Sequence, residues 1–160
     1  MKLEQQVTSL EISKRLKELG VKQESLFYFK KDWYDPNPPT RETAVRWVLR
    51  CSYQEMSGQK VSVEERISAF TVAELGEMLP KTIKKQFNKY TKSKLDYYLS
   101  ISWSEVDKKW RYAYVNSREN ICLEMFFADT ESDARGKMLI YLLENNLTPL
   151  SSATFIKDNL

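Results

Sequence analysis

Hydrophobic positions along this chain follow two periodicities, and the periodicities change in blocks. In the first block Ile12, Leu16 and Leu19 recur at helical spacing. Thr8-Ser9-Leu10-Glu11 reads as a capping box, in which the threonine accepts the backbone N–H three residues on and the glutamate reaches back. Val7 and Ile12 flank it as a hydrophobic staple, and Gly20 is the natural C′ stop. Thr71-Val72-Ala73-Glu74 repeats this grammar, with Phe70 and Leu75 as its staple and Pro80 as its end. A third helix starts near Asp129-Thr130-Glu131, where the helix dipole favours acids in the first turn. Ala134, Met138, Tyr141 and Leu142 form its apolar stripe, and Leu139, Ile140 and Leu143 widen it. This helix should therefore be largely buried, ending near Asn145 or Asn146. Gly76 and Gly136 sit inside helical patterns, and each either marks close packing or is simply tolerated.

Period-two alternation fills the intervals. Ser25 to Lys31 is short and aromatic. Val45, Trp47, Leu49, Cys51 and Tyr53 alternate with Arg46, Val48, Arg50 and Ser52, as in a strand with one buried face. Between them lies Asp35-Pro36-Asn37-Pro38-Pro39, whose clustered prolines lack N–H donors and fix φ, excluding helix and ladder pairing. Val61 to Ala69 alternates only in part. Three further runs are Tyr97/Leu99/Ile101/Trp103, Trp110/Tyr112/Tyr114 and Ile121/Leu123/Met125/Phe127, joined by Ser104 to Lys109 and by Asn116 to Asn120. They read as a meander. The expected fold is one α+β domain over residues 1–160, its antiparallel sheet of four to six strands packed by N- and C-terminal helices.

Composition narrows the chemistry. With 42% hydrophobic and 29% charged residues among 160, the chain is globular in character. No apolar run reaches membrane-spanning length and the N-terminus turns polar at once, so a cytoplasmic protein without a membrane partner is expected. Cys51 and Cys122 are isolated and read as buried, reduced thiols. There is no histidine, which excludes Ser-His-Asp and Cys-His nucleophilic sites and Cys/His zinc sites. No glycine-rich nucleotide motif is present. No catalytic residue, cofactor or metal site is expected.

Charge is uneven. Residues 81–94 carry six lysines and no acid in a chain of net charge +3. Ile83, Phe87 and Tyr90 are spaced i, i+4, i+7, which puts Lys81, Lys84, Lys85, Lys89 and Lys92 on the other side of a helical wheel. The segment fits an amphipathic helix or a loop ending in a strand. Its lysines are the candidate contacts for nucleic acid or another anion. A charge run is more often a solvated face, and the segment has no arginine for bidentate phosphate recognition. Asp129, Glu131 and Asp133 resemble magnesium ligands by type, but helix-start placement accounts for them. Trp103, Trp110, Tyr112 and Tyr114 form either an aromatic binding surface or sheet core. Arg46 and Arg50 share one strand face and suit an acidic group or nearby glutamates.

Four stretches, SLEISKRLKELGVKQESLFYF (9–29), ISAFTVAELGEMLP (67–80), KWRYAYV (109–115) and ADTESDARGKMLIYLLENNL (128–147), cover about four-tenths of the chain. In order and content they resemble a family of small uncharacterised proteins from bacterial genomes and their phages or prophages. These motifs are scaffolding with no catalytic signature, so the resemblance implies a mobile-element setting and no site residues. The expected function is a non-enzymatic protein-binding role, the alternative being a nucleic-acid-associated protein that uses residues 81–94.

Overall fold

The three alternating runs of the second half form the expected meander in the computed structural model of the chain, which describes residues 2–33, 45–51, 66–88 and 93–148. The Pro-rich segment 35–39, Tyr53, residues 61–65 and Tyr90 lie outside the described residues. A 3-10 turn (Leu3–Gln5) precedes α1 (Leu10–Glu18), β1 (Phe27–Trp33), β2 (Val45–Cys51) and β3 (Ile67–Ser68). Then follow α2 (Val72–Met78), β4 (Thr82–Asn88), β5 (Ser93–Ser104), β6 (Lys109–Asn116), β7 (Ile121–Ala128) and α3 (Glu131–Glu144). The fold is α+β. Its strands divide between two antiparallel sheets, ordered β2-β1-β3 and β4-β5-β6-β7, in place of the single sheet expected. No helix among the described residues is long and apolar enough to cross a membrane.

Helix ends follow local chemistry at α2 and α3. The Thr71 hydroxyl accepts from Glu74 N (3.2 Å) and the Glu74 carboxylate accepts from Thr71 N (2.7 Å), with Phe70 and Leu75 buried beside them. Pro80 holds the preceding Leu79 extended (ψ 126°), which ends α2. Thr130 caps α3 through Asp133 N, and Asn146 at φ 53° closes it, Leu147 N donating to Leu142 O (2.8 Å). Gly20 at φ 81° ends α1 in the same way.

The start of α1 departs from the expected capping box. Thr8 is wholly buried, and its hydroxyl accepts the Phe70 N–H (2.9 Å) and bonds the Ser13 hydroxyl (2.7 Å). Ser9 becomes the N-cap, its backbone N–H held by Asp133 Oδ1 (2.7 Å). A tertiary demand for Thr8 has displaced the local cap by one residue. Through Thr8, a Val7–Thr71 bridge and the Ser132 hydroxyl on Val7 O (2.8 Å), the N-terminal segment ties both helix starts together.

The core lies between the inner face of the meander and the helices, with Tyr97, Tyr112 and Tyr114 under Met138, Leu139 and Leu142, all at most 1% exposed. Gly136 lets α1 approach α3 closely. A Cβ there would lie 2.4 Å from Ile12 Cγ2 and 3.2 Å from Thr8 Cγ2. Strand β2 does not have the buried face its alternation suggested: Trp47, Leu49 and Cys51 are half-buried. Trp47 instead carries the ammonium groups of Lys14 and Lys31 near its ring, at 5.3 and 5.4 Å. The thiols also differ from expectation, Cys51 being half-buried and Cys122 exposed, and both are free.

The lysine-rich segment forms a strand. Of the helical wheel proposed from Ile83, Phe87 and Tyr90, only Ile83 is described as buried, facing Tyr97 across the ladder. The pairing slips between Ile83 and Gln86, so β4 holds one extra residue there, a β-bulge. A four-residue spacing, as between Ile83 and Phe87, fits period two as well as a helix, so the pattern alone does not separate the two.

Candidate functional site

Trp103 and Trp110 stand opposite each other near the end of the β5–β6 hairpin, on the face that carries the core. Toward this end the helices no longer cover the sheet, and exposure climbs from 0% at Tyr97 to 37% at Ile101 and 40% at Trp103. The two indoles meet edge to face, centroids 5.8 Å apart at 70°. They form one wall of a groove of about 490 Å³. Its other walls are Gln5 and Gln6 after the 3-10 turn, Thr71, Val72 and Ala73 opening α2, and Asp129, Thr130 and Glu131 opening α3.

The charged residues lining this groove are both acids. The Asp129 side chain is 88% exposed and reaches Lys109 only at 3.9 Å. Glu131 Oε1 accepts both Arg135 hydrogen bonds, at 2.9 and 2.5 Å. Arg135 lies over the Tyr112 ring (5.4 Å), and Gly76 leaves it room, since a Cβ at Gly76 would sit 3.0 Å from its Nη1. The groove hydroxyls are committed: Thr71 and Thr130 cap α2 and α3.

Of the aromatic set named from sequence, the structure brings together Trp103 and Trp110 and buries Tyr112 and Tyr114 completely. Tyr114 donates to the Pro80 carbonyl, and burial raises its pKa, with the neighbouring Tyr112 adding to the rise. The Tyr112 hydroxyl is buried without a hydrogen-bond partner among the described residues. Burial pushes its pKa up to about 12; Arg135 offsets part of the rise and Glu131 adds to it. A tyrosine held neutral by the fold stabilises it fully below the unfolded-state pKa of about 10 and loses that stabilisation as pH climbs toward 12. Ionisation of this tyrosine should therefore leave stability unchanged below about pH 10 and lower it above, by roughly 2–3 kcal/mol once pH passes the folded-state value. Tyr112→Phe removes the orphan hydroxyl and should raise stability at neutral pH by ~1 kcal/mol while flattening the alkaline fall. Urea unfolding across pH 7–11 measures both; a steeper alkaline fall in Tyr112→Phe would contradict this account.

The acids once comparable to metal ligands are dispersed. Asp133 holds Ser9 N, Glu131 holds Arg135 and Asp129 points outward. Among the described residues no group of three potential ligands is placed to hold a metal. Arg46 is exposed and faces Asp32 across the β1–β2 ladder; Arg50 is half-buried and faces Tyr28.

Among the candidate lysines, Lys81 and Lys84 are exposed, Lys85 lies in β4 with its side chain outside the description, and Lys89 and Lys92 lie outside the described residues. Lys81 accepts from Leu99 N while Lys94 pairs with Phe87, so the two stand five positions apart along β5. At ~3.4 Å per residue that is about 17 Å. These lysines are strung along an edge. Strand β4 is the outermost of its sheet, and lysines with a bulge are what keeps such an edge from pairing with another chain.

Sequence reasoning missed Gln5, Gln6 and Thr71–Ala73. The Val7–Thr71 bridge and the Thr8–Phe70 bonds bring these segments together beside the tryptophans, and no local pattern encodes them. No family model, curated protein or solved structure matches the chain.

Proposed function

We propose that the protein is a non-enzymatic binding module that docks a cationic side chain of a partner protein in the Trp103–Trp110 groove. The observation that carries this reading is a partly exposed indole pair in a groove whose lining holds two acids and no base. Indole faces attract ammonium and guanidinium groups by about 0.5–2 kcal/mol, more as water is excluded. Asp129 and the second oxygen of Glu131 add Coulombic attraction for the same ligand. Commitment of the groove hydroxyls to helix caps, and of Glu131 to Arg135, supports binding over catalysis. An accessory role in a bacterial host or phage-infected cell is the part of this reading that rests on the sequence resemblance alone.

Association with nucleic acid through residues 81–94 ranks second, because protection of the β4 edge accounts for the exposed lysines without a ligand.

The test is a tryptophan-fluorescence titration with blocked tripeptides, acetyl-Gly-Arg-Gly-amide against acetyl-Gly-Glu-Gly-amide. The arginine peptide should give a saturable change that Trp103→Ala and Asp129→Lys each weaken about tenfold or more, a loss of roughly 1.4 kcal/mol. Equal responses to both peptides, or a response indifferent to Trp103→Ala, would overturn the reading.

A further inference from the structure

The sheet edges differ in how they are closed. Strand β4 carries Lys81 beside its start, Lys84 and Lys85 within it, and a bulge. On the opposite edge, β7 has a register slip against β6, and Lys137 Nζ of α3 donates to the outward Phe127 carbonyl (2.9 Å). Strand β5 is longer than β4 and passes beyond it. Their ladder reaches Tyr98, and the last bond across is Leu99 N to Lys81 O (3.2 Å). There the neighbouring chain turns away through Pro80 into α2, which packs on α3.

In an antiparallel strand the main-chain groups alternate in direction. The Leu99 N–H faces the β4 side, so the N–H and C=O groups of Ile101 and Trp103 face it too. None has a partner among the described residues. This stretch, Ile101-Ser102-Trp103-Ser104, has no charge, no proline and no bulge. Ile101 and Trp103 are partly exposed, and Val106 on the following turn is 93% exposed. An edge with no charge, proline or bulge is one that accepts another strand.

We infer that Ile101–Ser104 is a strand-addition site, and that its occupant is an extended segment of a partner protein bearing a basic side chain. The segment continues the line of β4 past Lys81. Its main chain pairs with Ile101 and Trp103, and its groove-side residue enters between Trp103 and the start of α2. The acidic lining selects lysine or arginine there. This inference rests on the groove reading above and specifies the backbone form of the ligand.

The full chain is screened against displayed random dodecapeptides, and one enriched peptide is synthesised in two N-methylated forms, at odd and at even positions. In an added strand alternate amides face β5. One form should therefore lose affinity at least about tenfold while the other binds as the parent does. Ile101→Pro, which removes an outward donor and no bond to β6, should weaken binding about as much, with circular dichroism unchanged. A peptide that depends on Trp103 yet tolerates both N-methylated forms leaves the groove reading standing and overturns strand addition. A library that yields no Trp103-dependent peptide overturns both. A concentration-dependent dimer abolished by Ile101→Pro would assign the edge to a second copy of the chain and overturn the partner-segment claim.

Discussion

Gly136→Ala is expected to destabilise the fold by about 2 kcal/mol, although the same change in an exposed helix interior gains up to ~1 kcal/mol. The new methyl would lie 2.4 Å from Ile12 Cγ2 and 3.2 Å from Thr8 Cγ2, both in buried side chains. Ile12 cannot turn aside cheaply, because a β-branched residue within a helix has essentially one χ1 rotamer. Relief requires α1 to move off α3, and α1 is fixed at its start by Asp133 and Thr8. Ile12→Ala removes the obstructing atoms and should partly rescue Gly136→Ala. A double-mutant cycle in urea should thus show a favourable coupling of at least ~1 kcal/mol. Strict additivity would mean that the helices do not meet at this glycine.

Thr8→Val should cost more, about 2–4 kcal/mol, despite its near-identical shape. The hydroxyl lost serves the Phe70 N–H at 2.9 Å and the Ser13 hydroxyl at 2.7 Å, in a site with no exposed surface. Each buried group left unsatisfied costs ~1–3 kcal/mol. In a chain of this size 3 kcal/mol corresponds to roughly 6–12 °C in Tm. Thr8→Ser keeps the hydroxyl and loses only the methyl that touches the Gly136 site, so it should cost about 1 kcal/mol. Thermal unfolding of the pair separates the two contributions; equal losses would show that packing rather than hydrogen bonding holds Thr8.

These residues also show which parts of the fold were legible in the sequence. Where structure is decided within one turn of chain, the reading held. The Thr71–Glu74 box, its Phe70–Leu75 staple, the stop at Gly20 and the Asn146 end of α3 are local chemistry. The meander runs were legible because period two persists through each, and the helix-starting acids were legible from the dipole. The Thr8 box failed because a distant donor, Phe70 N, competes for the same hydroxyl. Residues 81–94 stayed open between a helix and a loop ending in a strand because a four-residue apolar spacing fits either period, and the structure places strands at Thr82–Asn88 and from Ser93. The division into two sheets was not legible, since pairing partners are set by tertiary contact.

The candidate site was half legible. Trp103 and Trp110 were named with Tyr112 and Tyr114, but sequence alone did not show which pair the helices would cover. The separation arises because α3 and α2 end their coverage before the tip of the β5–β6 hairpin, a matter of helix length and placement. The acids Asp129 and Glu131 were noticed for their helix-start position, and only the fold sets them beside an indole wall.

The central claim is that ligand enters at the tryptophan groove and not at the lysine-rich edge. Titration of isotopically labelled protein with an arginine-bearing peptide, followed by amide and indole N–H resonances, locates entry at residue resolution. The account predicts that the largest shifts fall on the Trp103 and Trp110 indoles and on the amides of Ile101, Trp103 and Asp129, with Lys84 and Lys94 unmoved. Shifts centred on those lysines, or spread evenly over the surface, would contradict it.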